Sequence, residues 1–367
     1  MSPQVELGSE GRGVTQALIA KFREEGIPAE VLPPDTVVHR TPSWGGFSND
    51  VGYSDKIIER FRESIRYCHQ EEKWLVFDGV VGWQQDESGR VKEMVADYSR
   101  ELWKAACDDA KHMEPAAGKS IMAAASSLGH VSRMNNALEV AKCSQRVKVS
   151  ATELDADPFL VGVSNGVVNI QTREFSQHAC DLLVTRRLGT HFDANATSPH
   201  WRKFLEEVQP DPEIRGFLQR LAGYCLSGEI REHILPFHFG IGANGKGSFL
   251  EQGLLRLMGT YGAKASDSLV YASERGNPPF LEISQLAGIR LALGQENAEG
   301  GRLNEKFLKD ATGGDRQKGR FLYAKFVEYW PSAKIHLVGN HRPKINGTDD
   351  GIWRRFILID WPVSAPA

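Results

Sequence analysis

The stretch FGIGANGKGSF, Phe239 to Phe249, constrains this chain more than any other. Gly240 to Gly245 followed by Lys246 satisfies the spacing G-x-x-x-x-G-K, which holds a phosphate chain when a strand precedes it and a helix follows. Both are expected here. Residues 233–239, HILPFHF, read as a short apolar strand, and GSFLEQGLLRLMG continues with helical periodicity. Loop amides and the positive end of the helix then face phosphate oxygens, and Lys246 reaches the terminal ones. The expected phosphate contacts are Gly240, Gly242, Asn244, Gly245, Lys246, Gly247 and Ser248. Two details are unusual. Gly247 stands where a hydroxyl commonly binds magnesium, with Ser248 one place late, and Pro236 is awkward in a central strand. Kinases, GTPases, transporters and nucleic-acid motors all use such loops, so the loop alone leaves the function open.

A motor also needs an acid at the end of a neighbouring buried strand, to orient the attacking water. IRLALGQENAEG supplies Glu296 just past the apolar residues 289–293, while Gln295 replaces the usual first acid. Glu296 and Ser248 are the candidate magnesium residues. A further strand, KIHLVGN, ends on Asn340, whose amide suits a sensor of the terminal phosphate; the plain alternative is a turn before Pro343. In DDGIWRRFILIDWP, Arg354 and Arg355 precede an apolar strand, where an arginine stabilises transition-state charge on a neighbour's nucleotide or simply lies on the surface.

The remaining sequence organises around this half. Residues 1–44 are rich in Gly, Pro and charge and read as a tail or linker. DKIIERFRESIRYC places Ile57, Ile58, Phe61, Ile65 and Cys68 at helical spacing; a hairpin is expected around Asp78 and Gly79, helices up to about Lys142, and a turn at Asn165 and Gly166. Ser198-Pro199 and Asp211-Pro212 each open a helix. These signals divide the chain into 1–44, an α+β domain at 45–195, and an α/β domain carrying the phosphate-type loop at 196–367. Five dispersed cysteines without a C-x-x-C pair are expected to be buried thiols. No run approaches the roughly 18 apolar residues of a membrane span, and no signal peptide opens the chain, so a cytoplasmic protein is expected, in the host cytoplasm if phage-encoded. The net charge of −3 excludes coating of nucleic acid by bulk charge. Between Arg302 and Lys344, however, ten Lys and Arg face four acids, and nucleic-acid contact is expected there.

Taken in order, GIGANGKGSF, RLALGQENAEGGRLNEKFLKDATGGD, IHLVGNHRP and WRRFILID resemble the four successive motifs of superfamily 3 helicases, in the phage and plasmid branch related to the poxvirus primase-helicase. EKWLVFDGVVGW and SNGVVNIQTREFSQHACDLLVTRRL are similar to the accessory domain of that family, so the resemblance runs over about residues 45–363. It implies an AAA+-like P-loop core, a homohexamer on single-stranded or forked DNA, and ATP with Mg2+ hydrolysed between subunits. A separate primase or polymerase is an expected partner. Lys246 matches the phosphate-binding lysine, Glu296 the catalytic acid, Asn340 the sensor, and Arg354 or Arg355 the trans-acting finger. GDRQKGRFLYAKFVEYW lies where the family carries a channel hairpin, with Lys325 and Tyr323 near its tip and Lys318 and Arg320 behind. About 45 residues precede the accessory region and hold no carboxylate triad on strands, so primase activity is not expected; WPVSAPA ends the sequence where relatives continue, as in a naturally short chain or a fragment. Two other functions compete: an ATP-switched loader that binds DNA without efficient unwinding, and a small-molecule kinase, which the basic aromatic stretch disfavours.

Overall fold

The computed structural model describes residues 44–272, 280–295, 301–320, 326–343, 345 and 350–363. Its first part packs helices on a four-stranded sheet. Helix α1, Asp50–Phe61, starts at Asn49, whose side chain accepts from the Gly52 amide at 3.0 Å. It ends earlier than the apolar spacing suggests. Ile65–Cys68 is strand β1, antiparallel to β2 (Lys73–Asp78) and parallel to β4 (Lys148–Val149). A short apolar run serves either period, and here strand pairing decides. The expected hairpin forms between β2 and β3 (Gly82–Gln85). Helix α2, Arg90–Asp109, buries Val91, Val95, Leu102 and Ala106 at intervals that keep one face inward. Asp86 accepts from the Arg90 and Val91 amides and so satisfies the start of that helix. Helices α3, Pro115–Leu128, and α4, Val131–Ala141, complete this core.

A meander of β5 (Leu160–Val163), β6 (Gly166–Asn169) and β7 (Glu174–Ser176) follows, with Ser164 and Asn165 as its first turn. Helices α5, Pro199–Val208, and α6, Pro212–Leu226, begin at the two proline signals, and Asp211 accepts from the Glu213 amide at 2.8 Å.

The second part is built on a five-stranded parallel sheet in the order β14-β8-β13-β10-β9, with β8 Leu235–Phe239, β9 Gly262–Lys264, β10 Leu291–Gln295, β13 Lys334–Gly339 and β14 Phe356–Asp360. Side chains alternate between its faces. Leu291 and Leu293 join Leu218, Leu221, Phe249 and Leu250 on the face covered by α6 and the helix after the glycine-rich loop. Ala292, Ile335 and Leu337 join Leu269, Ile283 and Leu308 on the other, under α8 (Asp267–Val270), α9 (Phe280–Gln285) and α10 (Glu305–Gly313). A hairpin of β11, Gln317–Arg320, and β12, Phe326–Tyr329, projects between α10 and β13 in the chain.

Pro236 is accommodated by ladder geometry. The Leu235 amide donates to Arg355 on the β14 side, and the ladder with β13 is paired only from Phe237 onward, so Pro236 sits at the start of that ladder, where it interrupts no later rung. The cysteines are free but not uniformly buried: Cys68 and Cys225 are buried, Cys107 and Cys180 half-buried, and Cys143 exposed. Small thiols on amphipathic elements follow the face they stand on. No helix among the described residues is long and apolar enough to cross a membrane.

Candidate functional site

In a parallel sheet all strands end on one edge, and ligands bind outside the carboxyl ends where the chain reverses its order of travel. That reversal occurs at β8. The chain leaves it for the far edge at β9, returns through β10 and β13, and crosses to β14 on the other side. The loop after β8 and the loop after β13 therefore open side by side.

Within the first loop, glycine is demanded by close approach. A Cβ on Gly240 would stand 2.2 Å from Asn244 Nδ2, and one on Gly245 would stand 2.6 Å from Val208 Cγ1 at a left-handed φ of +84°. Gly247 differs. It has helical φ of −63°, and a Cβ there would meet nothing within 4 Å, so a hydroxyl-bearing residue would fit as well. Ser248, exposed, opens a π-helix, Ser248–Leu255, that continues as an α-turn to Met258 and is here called α7. Wide helical turns of this kind recur at functional sites.

Lys246 is buried, and its Nζ donates to the Gly240 carbonyl and to Asn340 Oδ1, the latter at 3.1 Å. Two residues read separately from the sequence thus meet at the sheet edge. Burial holds the Lys246 ammonium below the ordinary lysine range. Both partners are neutral oxygens, so its charge suits an anionic ligand.

Asn244 is turned inward. Its Nδ2 donates to the Trp361 carbonyl at 3.3 Å and its Oδ1 accepts from the Lys246 amide at 3.4 Å, which makes it a brace of the loop. Trp361, which the sequence reading passed over, is the hub beneath. Its amide donates to Phe239, its ring lies 5.5 Å from Phe249 of α7, and its Nε1 donates to His238 Nδ1 at 3.2 Å. Indole is only a donor, so His238 carries its proton on Nε2 and gives it to His336 Nδ1 at 3.3 Å; His336 Nε2 then donates to Cys225 Sγ at 3.6 Å. Burial pushes His238 well below the usual histidine range, His336 down to about 3, and the Cys225 thiol up to about 12. All three are neutral, and the wire is a structural support under the loop.

The other expected residues are placed as follows. Gln295 ends β10, and its Nε2 donates to Glu251 of α7; Glu296 lies outside the described residues. Arg354 and Arg355 lie just before the amino end of β14, whose five residues span about 17 Å to the edge that carries the loop. They differ from each other. Arg354 is exposed, whereas Arg355 is buried with Nη1 donating to the Gly351 carbonyl at 2.6 Å. Lys318 is exposed on β11 and Arg320 ends that strand; Tyr323 and Lys325 lie outside the described residues. No local signal marked Trp361 or Glu251, since each acquires its partners only through the fold.

Residues 54–210 match the family described as D5 N terminal like, a stretch that ends before the phosphate-type loop. Over 212 residues the chain is 31% identical to "Putative helicase L207/L206" of Acanthamoeba polyphaga mimivirus, covering 56% of this chain and 22% of that protein. It is 23% identical over 337 residues to "Putative helicase 121R" of Invertebrate iridescent virus 3, covering 86% and 35%. Against "Putative primase C962R" of African swine fever virus (isolate Tick/Malawi/Lil 20-1/1983) the identity is 26% over 216 residues, covering 55% and 22%. The matched stretches thus span about a third or less of each of these relatives. The domain match and these likenesses support kinship with the D5-like primase-helicases of large DNA viruses.

Proposed function

We propose that the chain is the ATP-driven motor part of a DNA helicase, working in replication of a virus or mobile element. The observation that carries this reading is the contact of Lys246 with Asn340 at the carboxyl edge of the parallel sheet, where a loop of G-x-x-x-x-G-K spacing opens. The order β14-β8-β13-β10-β9 places one strand, with Asn340 at its tip, between the loop strand and the strand that leads to Glu296. This suits an AAA+-like ATPase core, and the viral relatives named helicase or primase support DNA as its track.

In this reading the loop amides and Lys246 bind the ATP phosphates. Asn340, now paired with Lys246, shifts to the terminal phosphate when nucleotide enters. Glu296 polarises the attacking water. Ser248 and the carboxyl end of β10 are the chain's magnesium side, and magnesium when bound neutralises phosphate charge. Arg354 stands a strand's length from its own loop, so it acts on a neighbour's nucleotide, which requires a closed ring of subunits. The basic hairpin, through Lys318, Arg320, Tyr323 and Lys325, grips the DNA.

Measurement of ATP turnover with and without single-stranded DNA, on the parent and on Lys246→Ala, tests the reading. Parental turnover should rise with DNA, and the variant should lose turnover while keeping its fold, because Lys246 contacts loop oxygens rather than apolar core. Near-parental turnover by Lys246→Ala would overturn the motor assignment. A parent that hydrolyses ATP but fails to displace a strand on forked DNA would favour the loader instead.

A further inference from the structure

The end of β10 poses a chemical problem. At this place a phosphate-loop ATPase needs a carboxylate to orient the magnesium shell, and the chain has the neutral Gln295. The fold brings a carboxylate to that spot from another element. Leu291 and Leu293 of β10 face the α7 side of the sheet, and Gln295, two residues on, shares their face. Glu251 stands on α7, three residues after Ser248 and five after Lys246. Its Oε1 accepts from Gln295 Nε2, and its Oε2 accepts from Lys264 of β9 at 3.0 Å.

We propose that Glu251 is a positioning residue that supplies, through Gln295, the negative charge that β10 lacks at the magnesium side of the site. This rests on the ATP reading above. A carboxylate only accepts, so the Gln295 amide nitrogen must face Glu251, and the Gln295 carbonyl oxygen is left for a cation or its bound water. Lys264, largely exposed, shares the second oxygen and offsets part of its charge without holding it in place. The amide is also in the right row. Gln295 pairs with Val338, and Asn340, the partner of Lys246, lies two residues further along the same strand. The oxygen donors offered here, the Ser248 hydroxyl, the Gln295 amide and one nearby carboxylate, fit a hard cation that keeps most of its waters. The charge has moved from the strand to the neighbouring helix, and a hydrogen bond hands it back.

An exchange of the two groups tests this. A fluorescent ATP analogue is titrated onto the whole chain over a magnesium series, with thermal unfolding as the check of folding. Glu251→Gln keeps the size and the acceptor oxygen but loses the charge. It should raise the magnesium concentration for half-maximal tightening of nucleotide binding about tenfold, with magnesium-free affinity unchanged. Adding Gln295→Glu to it puts the carboxylate on β10 and should restore most of the parental requirement. Lys264→Met breaks the ion pair but keeps the carboxylate, and should leave the requirement at or below the parent's. A parental magnesium requirement in Glu251→Gln, or a folded double variant without recovery, would overturn the assignment alone. A parent that binds no nucleotide at any magnesium concentration would overturn the ATP reading and this assignment with it.

Discussion

Lys334 enters the core as an ammonium whose acceptors are the carbonyls of Ser227 and Ser332, with its Nζ 4.8 Å from the centre of the Tyr224 ring. Ser227 is the residue just after α6, so the cation sits at the negative end of that helix. Burial pushes its pKa from 10.5 to about 7; Arg290 pushes the same way, and Cys225 and Glu229 oppose. Between these values the unfolded chain holds a proton that the folded chain has released, so stability rises as pH climbs from about 7 toward 10.5. The gain from pH 7 to pH 9 is about 2 kcal/mol. Lys334→Met should remove that rise, and denaturant unfolding at the two pH values measures it. Parallel pH profiles for parent and variant would contradict the account.

Strand β14 shows how one element serves two ends of the molecule. Its amino end presents Arg354 to solvent and tucks Arg355 against Gly351; its carboxyl end leads into Trp361, on which the phosphate-type loop rests. In the proposed motor the two arginines would have separate tasks. Arg354→Ala should leave the melting temperature unchanged and cut ATP turnover about 10³-fold, as loss of a finger does. Arg355→Ala should instead destabilise the fold by about 2 kcal/mol, because it removes a buried bonded group. Mixing Arg354→Ala with Lys246→Ala, each inactive alone, should restore about a quarter of parental turnover, the share of interfaces that random mixing leaves intact. No recovery on mixing would mean that the arginine does not act across an interface.

At the scale of the whole molecule, the meander β5–β7 is stitched to the parallel sheet by buried polar bonds as well as by Val161, which packs with Leu218 and Leu291. Arg290 is the main stitch. Its guanidinium donates to the Leu226 carbonyl at the end of α6 and to the Leu160 carbonyl of β5, the latter at 2.8 Å, and lies 4.3 Å from the Tyr261 ring centre. The Tyr261 hydroxyl in turn accepts from the Gly162 amide at 3.1 Å. Arg290→Met would take the guanidinium donor from two half-buried carbonyls, a loss of about 2 kcal/mol. Hydrogen exchange should quicken first in β5 and β6, before the parallel sheet; uniform exchange across both would show that the meander does not depend on this link.

Local signals in the sequence determined much of this architecture, because they depend on near neighbours. The strand, loop and helix around Lys246, the helices opened at Pro199 and Pro212, and the hairpin at Asp78 all follow from periodicity, capping and turn chemistry within a few residues. The fold alone decided what depends on distant partners. Ile65–Cys68 became a strand because β2 and β4 flank it, although its spacing also suits a helix. Asn340 met Lys246 because β13 was inserted beside β8, and Glu251 met Gln295 because α7 packs over β10. The unlike environments of Arg354 and Arg355, adjacent in sequence, arise because a turn exposes one side chain and buries the next. Long-range contacts of this kind are set by packing of whole elements, which no short stretch of residues encodes.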